Sequence, residues 1–107
     1  MEQEKMNRLL LSVGAQTFVK YFYDFAKNME IRSNKLIKEA FEKGGEEWSK
    51  KSFNSKASCG KSLFTNHLQW MALEYIVNEA NNGVDSDTKA EAKKILISYY
   101  DSLIDLD

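Results

Sequence analysis

Residues 60–80 read GKSLFTNHLQWMALEYIVNEA, and they decide the fold. Leu63, Phe64, Leu68, Trp70, Met71, Leu73, Tyr75, Ile76, Val77 and Ala80 leave almost no polar side when this stretch is wound as one helix. A helix with so little polar surface must lie at the centre of a bundle or be covered by another copy of the chain. The sequence therefore predicts an all-α bundle of about four helices with this third helix at its centre.

Working outward, residues 3–28 read as a first helix. At 3.6 residues per turn, Leu11, Gly14, Ala15, Phe18, Phe22, Phe25, Ala26 and Met29 share one face. The small residues Gly14 and Ala15 let a neighbouring helix approach closely. Met6, Leu9 and Val13 fall on the opposite side, so the first half of this helix is apolar on two faces. Residues 33–43 form a shorter second helix. Ser33 or Asn34 caps its start, Leu36, Ile37, Ala40 and Phe41 make its buried face, and Gly44-Gly45 ends it. Residues 46–59 carry the weakest pattern and read as a short turn or one-turn helix followed by a loop. Downstream, Asn81-Asn82-Gly83 stops the third helix. Asp85, Ser86 or Asp87 caps a fourth, which runs to about residue 103 and buries Ala92, Ile95, Leu96, Tyr99, Tyr100 and Leu103.

Composition agrees with a single helical domain over residues 1–107. The chain has no proline, is 43% hydrophobic and 29% charged, and carries a formal net charge of −1. That balance creates no global field for nucleic acid or an anionic membrane. The single cysteine, Cys59, excludes an internal disulfide, and the run Leu9-Leu10-Leu11 is too short for a signal peptide. No apolar segment approaches the length of a membrane span. A reducing cytoplasmic setting is the expectation.

Several motifs invite chemistry. Residues 55–62, SKASCGKS, match the end of a phosphate-binding loop at Gly60-Lys61-Ser62, but Ser55 stands where the first glycine is needed and no strand precedes it. Lys50, Lys51, Lys56 and Lys61 lie in the same region with no acidic residue between them. Such a lysine loop before a helix suits phosphate contacts, although no arginine is present to read bases. The second helix has Arg32, Asn34, Lys35 and Lys38 for a recognition face, diluted by Glu39 and Glu42. His67, the only histidine, shares a stripe with Met71, Glu74 and Asn78, which reads as the central helix's polar edge. Cys59 lies eight residues from it, too far for a catalytic pair on one helix. No catalytic, cofactor or metal constellation emerges.

The reading is a small non-enzymatic binding or regulatory protein that acts through helix faces as a homodimer. Met6, Leu9, Val13, Ile97 and Ile104 are the candidate self-association residues, because exposed together they would make a long apolar stripe. The alternative is a nucleic-acid-binding regulator that uses Lys50, Lys51, Lys56 and Lys61.

Overall fold

The computed structural model describes residues 2–78 and 84–105, with side chains described as far as Ser102. Its elements are α1 (Glu2–Val13), α2 (Ala15–Lys20), α3 (Phe22–Asn28), α4 (Lys35–Lys43), α5 (Lys50–Thr65), α6 (Gln69–Asn78) and α7 (Ser86–Asp105), with no strand among the described residues. The fold is all-α, as the sequence predicts. Two of the expected helices are subdivided.

The first is divided into α1, α2 and α3. Gly14 sits at φ 92, ψ 134, a backbone conformation open to glycine and strained for any L side chain. Its N–H still donates to the Leu10 carbonyl (2.7 Å), and the Phe18 N–H donates to the Gly14 carbonyl (2.9 Å). Helical bonding thus resumes at once, but in a new direction. Gly14 serves as a corner, where its sequence position suggested a close helix contact. A second interruption falls at Tyr21 (φ −110, ψ 22). The corner reverses the expected faces of α1. Met6, Leu10 and Val13 turn into the core, whereas Leu11 is 84% exposed.

The long third helix is also two helices, and it starts earlier. Ser49 caps α5, its Oγ accepting from the Ser52 N–H at 3.2 Å. Residues 50–59 are therefore helical, where a loop was expected. α5 is stopped just past its C-cap Asn66 by His67, which adopts φ 59. The His67 N–H donates to the Phe64 carbonyl (3.0 Å) and the Leu68 N–H to the Leu63 carbonyl (2.8 Å). This pair of bonds is the left-handed C-terminal stop, completed by the buried apolar residues Leu63 and Leu68. Gly45, at φ 85, makes the same stop for α4, as Gly44-Gly45 predicts. A histidine pays a steric cost there that glycine does not. His67→Gly should therefore raise stability by about 0.5–1 kcal/mol in urea unfolding. A decrease would mean that the imidazole makes a compensating contact.

α7 begins where expected. The Asp85 carboxylate accepts from the Thr88 N–H at 2.7 Å and caps the first turn.

α5 is the hub. α1 runs antiparallel along it: Lys5 reaches Asn66 (2.7 Å) near one end, and Lys56 reaches the Val13 carbonyl (2.8 Å) near the other. α3 and α4 pack on α5 as well, while α7 lies against α6 and α2. The core is one continuous cluster. Phe18, Phe22, Phe25, Phe64, Leu68, Ile95 and Leu96 are buried as expected, Met71 and Tyr75 are half-buried against them, and Tyr99 is half-buried on Trp70. Gly60 lies mid-helix on α5, where α3 comes closest. A Cβ built on it overlaps the ring of Phe25.

Candidate functional site

The lysines expected to bind phosphate are the first question, because their loop is a helix. Lys50 and Lys51 are exposed in the first turn of α5. Lys56 and Lys61 are already engaged by the chain itself. The Lys56 ammonium caps the last carbonyl of α1, at Val13, and lies 4.7 Å from the centre of the Trp48 ring. The Lys61 ammonium donates to the Ile31 carbonyl (2.6 Å) and Asn34 Oδ1 (2.9 Å), with the Arg32 carbonyl at 3.3 Å. Burial lowers its pKa from the ordinary lysine value. These two side chains satisfy backbone carbonyls released where the helices break. The four lysines thus form no common patch, and the Gly60-Lys61-Ser62 motif is mid-helix, with no phosphate cradle.

The recognition-helix reading of residues 33–43 meets a similar obstacle. The Lys38 ammonium donates to Asn54 Oδ1 (3.1 Å) and the Asn34 amide to Ser58 Oγ (3.0 Å), so part of the polar face of α4 is turned onto α5. Cys59 is half-buried in the middle of α5, away from any helix start. His67 lies in the turn after α5, apart from Met71, Glu74 and Asn78. Those three line a groove of about 210 Å³ with Gln3, Met6 and Tyr75. Among the described residues, no three His, Cys, Asp or Glu side chains converge as a metal site would require, and no helix is long and apolar enough to cross a membrane.

The expected self-association stripe divides in the same way. Met6 and Val13 are fully buried and Leu9 is half-buried in the chain's own core, so α1 offers no second apolar face. The corner at Gly14 is the reason: it lays α1 across α5 and α6. Ile97 is 50% exposed on α7, and the side chain of Ile104 lies outside the described residues.

What the structure does bring together is aromatic. The rings of Trp70 on α6 and Tyr99 on α7 stack at 3.8 Å with 17° between their planes. Trp70 also meets Phe22 at 5.6 Å, Phe22 meets Tyr23 at 5.5 Å, and Tyr99 meets Tyr100 at 5.7 Å. The ladder starts at exposed Tyr23 on α3, passes through buried Phe22, and returns to the surface at Tyr100. The Tyr100 hydroxyl donates to the Glu74 carboxylate (2.9 Å), which fixes the ring and raises its pKa above 10.0. Beside it, Lys93, Ile97, Tyr100 and Asp101 share one outward face of α7 at i, i+4, i+7 and i+8. Sequence reasoning placed Tyr99 and Tyr100 together in the core. Only their contact with Trp70 and Glu74, two helices' tertiary packing, shows that Tyr100 belongs to the surface.

A polar cluster elsewhere is structural. The Glu46 carboxylate accepts from the Tyr21 hydroxyl (2.6 Å) and the Lys20 ammonium (2.9 Å), which ties the α4–α5 connection to α2. Burial pushes the Glu46 carboxyl up, but the bonds from Tyr21 and Lys20 outweigh it and leave its pKa below 4.5. The Asp85 pKa is also lowered, by its bond from Thr88. A carboxylate with a depressed folded-state pKa gives stability that is present above its unfolded value and is lost as pH falls through the folded one. Stability should therefore decline below about pH 4.5, and Glu46→Gln should flatten part of that decline. Urea midpoints measured across the acid range check it; an unchanged acid slope would exclude Glu46 as a contributor.

No family model, no curated protein and no solved structure matches this chain.

Proposed function

We propose that this is a non-enzymatic binding or regulatory protein that works through protein–protein contacts made by exposed helix faces, self-association among them. The observation that carries this reading is the aromatic edge of α3, α6 and α7. Tryptophan and tyrosine dominate the energetics of protein interfaces, since they offer large, stiff, amphipathic surface at low entropic cost. Tyr100 and Ile97 stand 45% and 50% exposed beside the half-buried Trp70–Tyr99 stack. The Trp70–Tyr99 stack occupies one face of each ring, which stiffens the pair as a platform for partner side chains. The nucleic-acid alternative loses the open lysine loop on which it stood. A reducing cytoplasmic location fits the single unpaired thiol at Cys59.

The test is chemical cross-linking in cells that make the protein, followed by mapping of the linked residues. Links should concentrate on α7 and the Tyr23–Tyr100 edge, and Ile97→Asp with Tyr100→Ala should abolish them without unfolding the chain. Links that survive this double substitution would refute the reading.

A further inference from the structure

We infer that the outward face of α7 pairs with the same face of a second copy, antiparallel, about a twofold axis at Ile97. This rests on the helix-face reading above and names its partner. The basis is the order of charge along that face. Lys93 and Lys94 precede Ile97, Asp101 follows it, and all are exposed. Lys93 and Asp101 stand four residues on either side of Ile97, so a twofold axis there sets Lys93 of each copy against Asp101 of the other. It also sets Lys94 against Tyr100, an ammonium against a ring that Glu74 already holds in place, and Ile97 against itself. A parallel pairing would oppose lysine to lysine and aspartate to aspartate. Antiparallel packing also aligns the two helix dipoles favourably. Lys93, Lys94 and Asp101 form no ion pair with one another or with other described residues. Within one helix, Lys93 and Asp101 lie about 12 Å apart along the axis, too far to pair.

The contact is modest. A helix of 20 residues is about 30 Å long, and one such face buries less than the roughly 800 Å² per partner of a standard stable interface. The dimer is therefore reversible, and forms at high micromolar protein.

Sedimentation equilibrium from about 10 μM to about 1 mM should show a monomer–dimer equilibrium. Lys93→Glu and Asp101→Lys should each weaken it about tenfold or more, because each sets like charges face to face. The double variant should recover wild-type association, and so should an equimolar mixture of the two single variants, since both arrangements restore two opposite-charge pairs. In a Cys59→Ser background, Ile97→Cys should oxidise to a covalent dimer and the more exposed Leu11→Cys should not. A wild type that stays monomeric over the whole range overturns the inference. A dimer indifferent to both charge reversals, or one not restored by mixing, does the same. If the wild type is monomeric while its cross-links to another protein still depend on Ile97 and Tyr100, the helix-face reading stands and self-pairing alone falls.

Discussion

Phe18→Ala should lower the stability of this protein by about 3–5 kcal/mol, a large share of what a domain of this size possesses. Phe18 is fully buried, and its ring meets three others: Phe22 at 5.5 Å, Phe64 at 5.8 Å and Phe25 at 5.9 Å. These rings come from α2, α3 and α5, so removing one leaves a cavity that no single helix can close by shifting. Phe64→Ala should cost a similar amount. Urea denaturation reads the effect as a fall in midpoint at constant slope. A loss under about 1 kcal/mol for both would show that the four-ring cluster does not hold the helices together.

Gly60→Val should cost about 3 kcal/mol, against the usual rule for helices. Replacing a mid-helix glycine with alanine ordinarily gains about 1 kcal/mol, because glycine wastes backbone entropy. Here the added Cβ overlaps Phe25, which is itself fully buried and lies between Phe18 and Phe41 at 5.9 and 6.0 Å. The ring has nowhere to go, so α3 and α5 must separate. Gly60→Ala should be destabilising too, by less, since its propensity gain offsets part of the overlap. Phe25→Leu combined with Gly60→Val should recover part of the loss, as coupled neighbours do. Strictly additive losses would show that the two positions do not touch.

The helical class and most core residues were legible because period-3.6 patterning survives whatever the helices do in space. The corners were not read, although one left a trace. Met6, Leu10 and Val13 repeat at i, i+4 and i+7, and so do Phe18, Phe22 and Phe25. The step from Val13 to Phe18 is five residues, which shifts the stripe by about 140° on an unbroken helix. That jump straddles Gly14, and it marks a change of direction that a single averaged face hides. The corner at His67 left no such mark. Phe64, Leu68, Ala72 and Ile76 keep a spacing of four across it, and a histidine in left-handed geometry has no compositional signature. The α5 start was obscured by its serines, asparagine and lysines, which resemble a loop. Their helical state depends on the Ser49 cap and on packing against α1, α3 and α4. The aromatic edge was the least legible part, because a ring stacked across two helices is a tertiary fact with no local pattern.

The corner at Gly14 also bears on how the chain is made. α1 docks on partners that follow it at long range: Val13 meets Lys56 across 43 positions and Lys5 meets Asn66 across 61. At roughly 5–20 residues per second, those partners reach α1 several seconds after it leaves the ribosome. Throughout that interval Met6, Leu10 and Val13 lack α5 and α6, the later helices that α1 packs against. During synthesis the chain therefore passes through a stage in which the apolar face of α1 waits for the helices that cover it. Slowing translation between α1 and α5 lengthens the wait and should lower the soluble yield, with no change in the finished molecule.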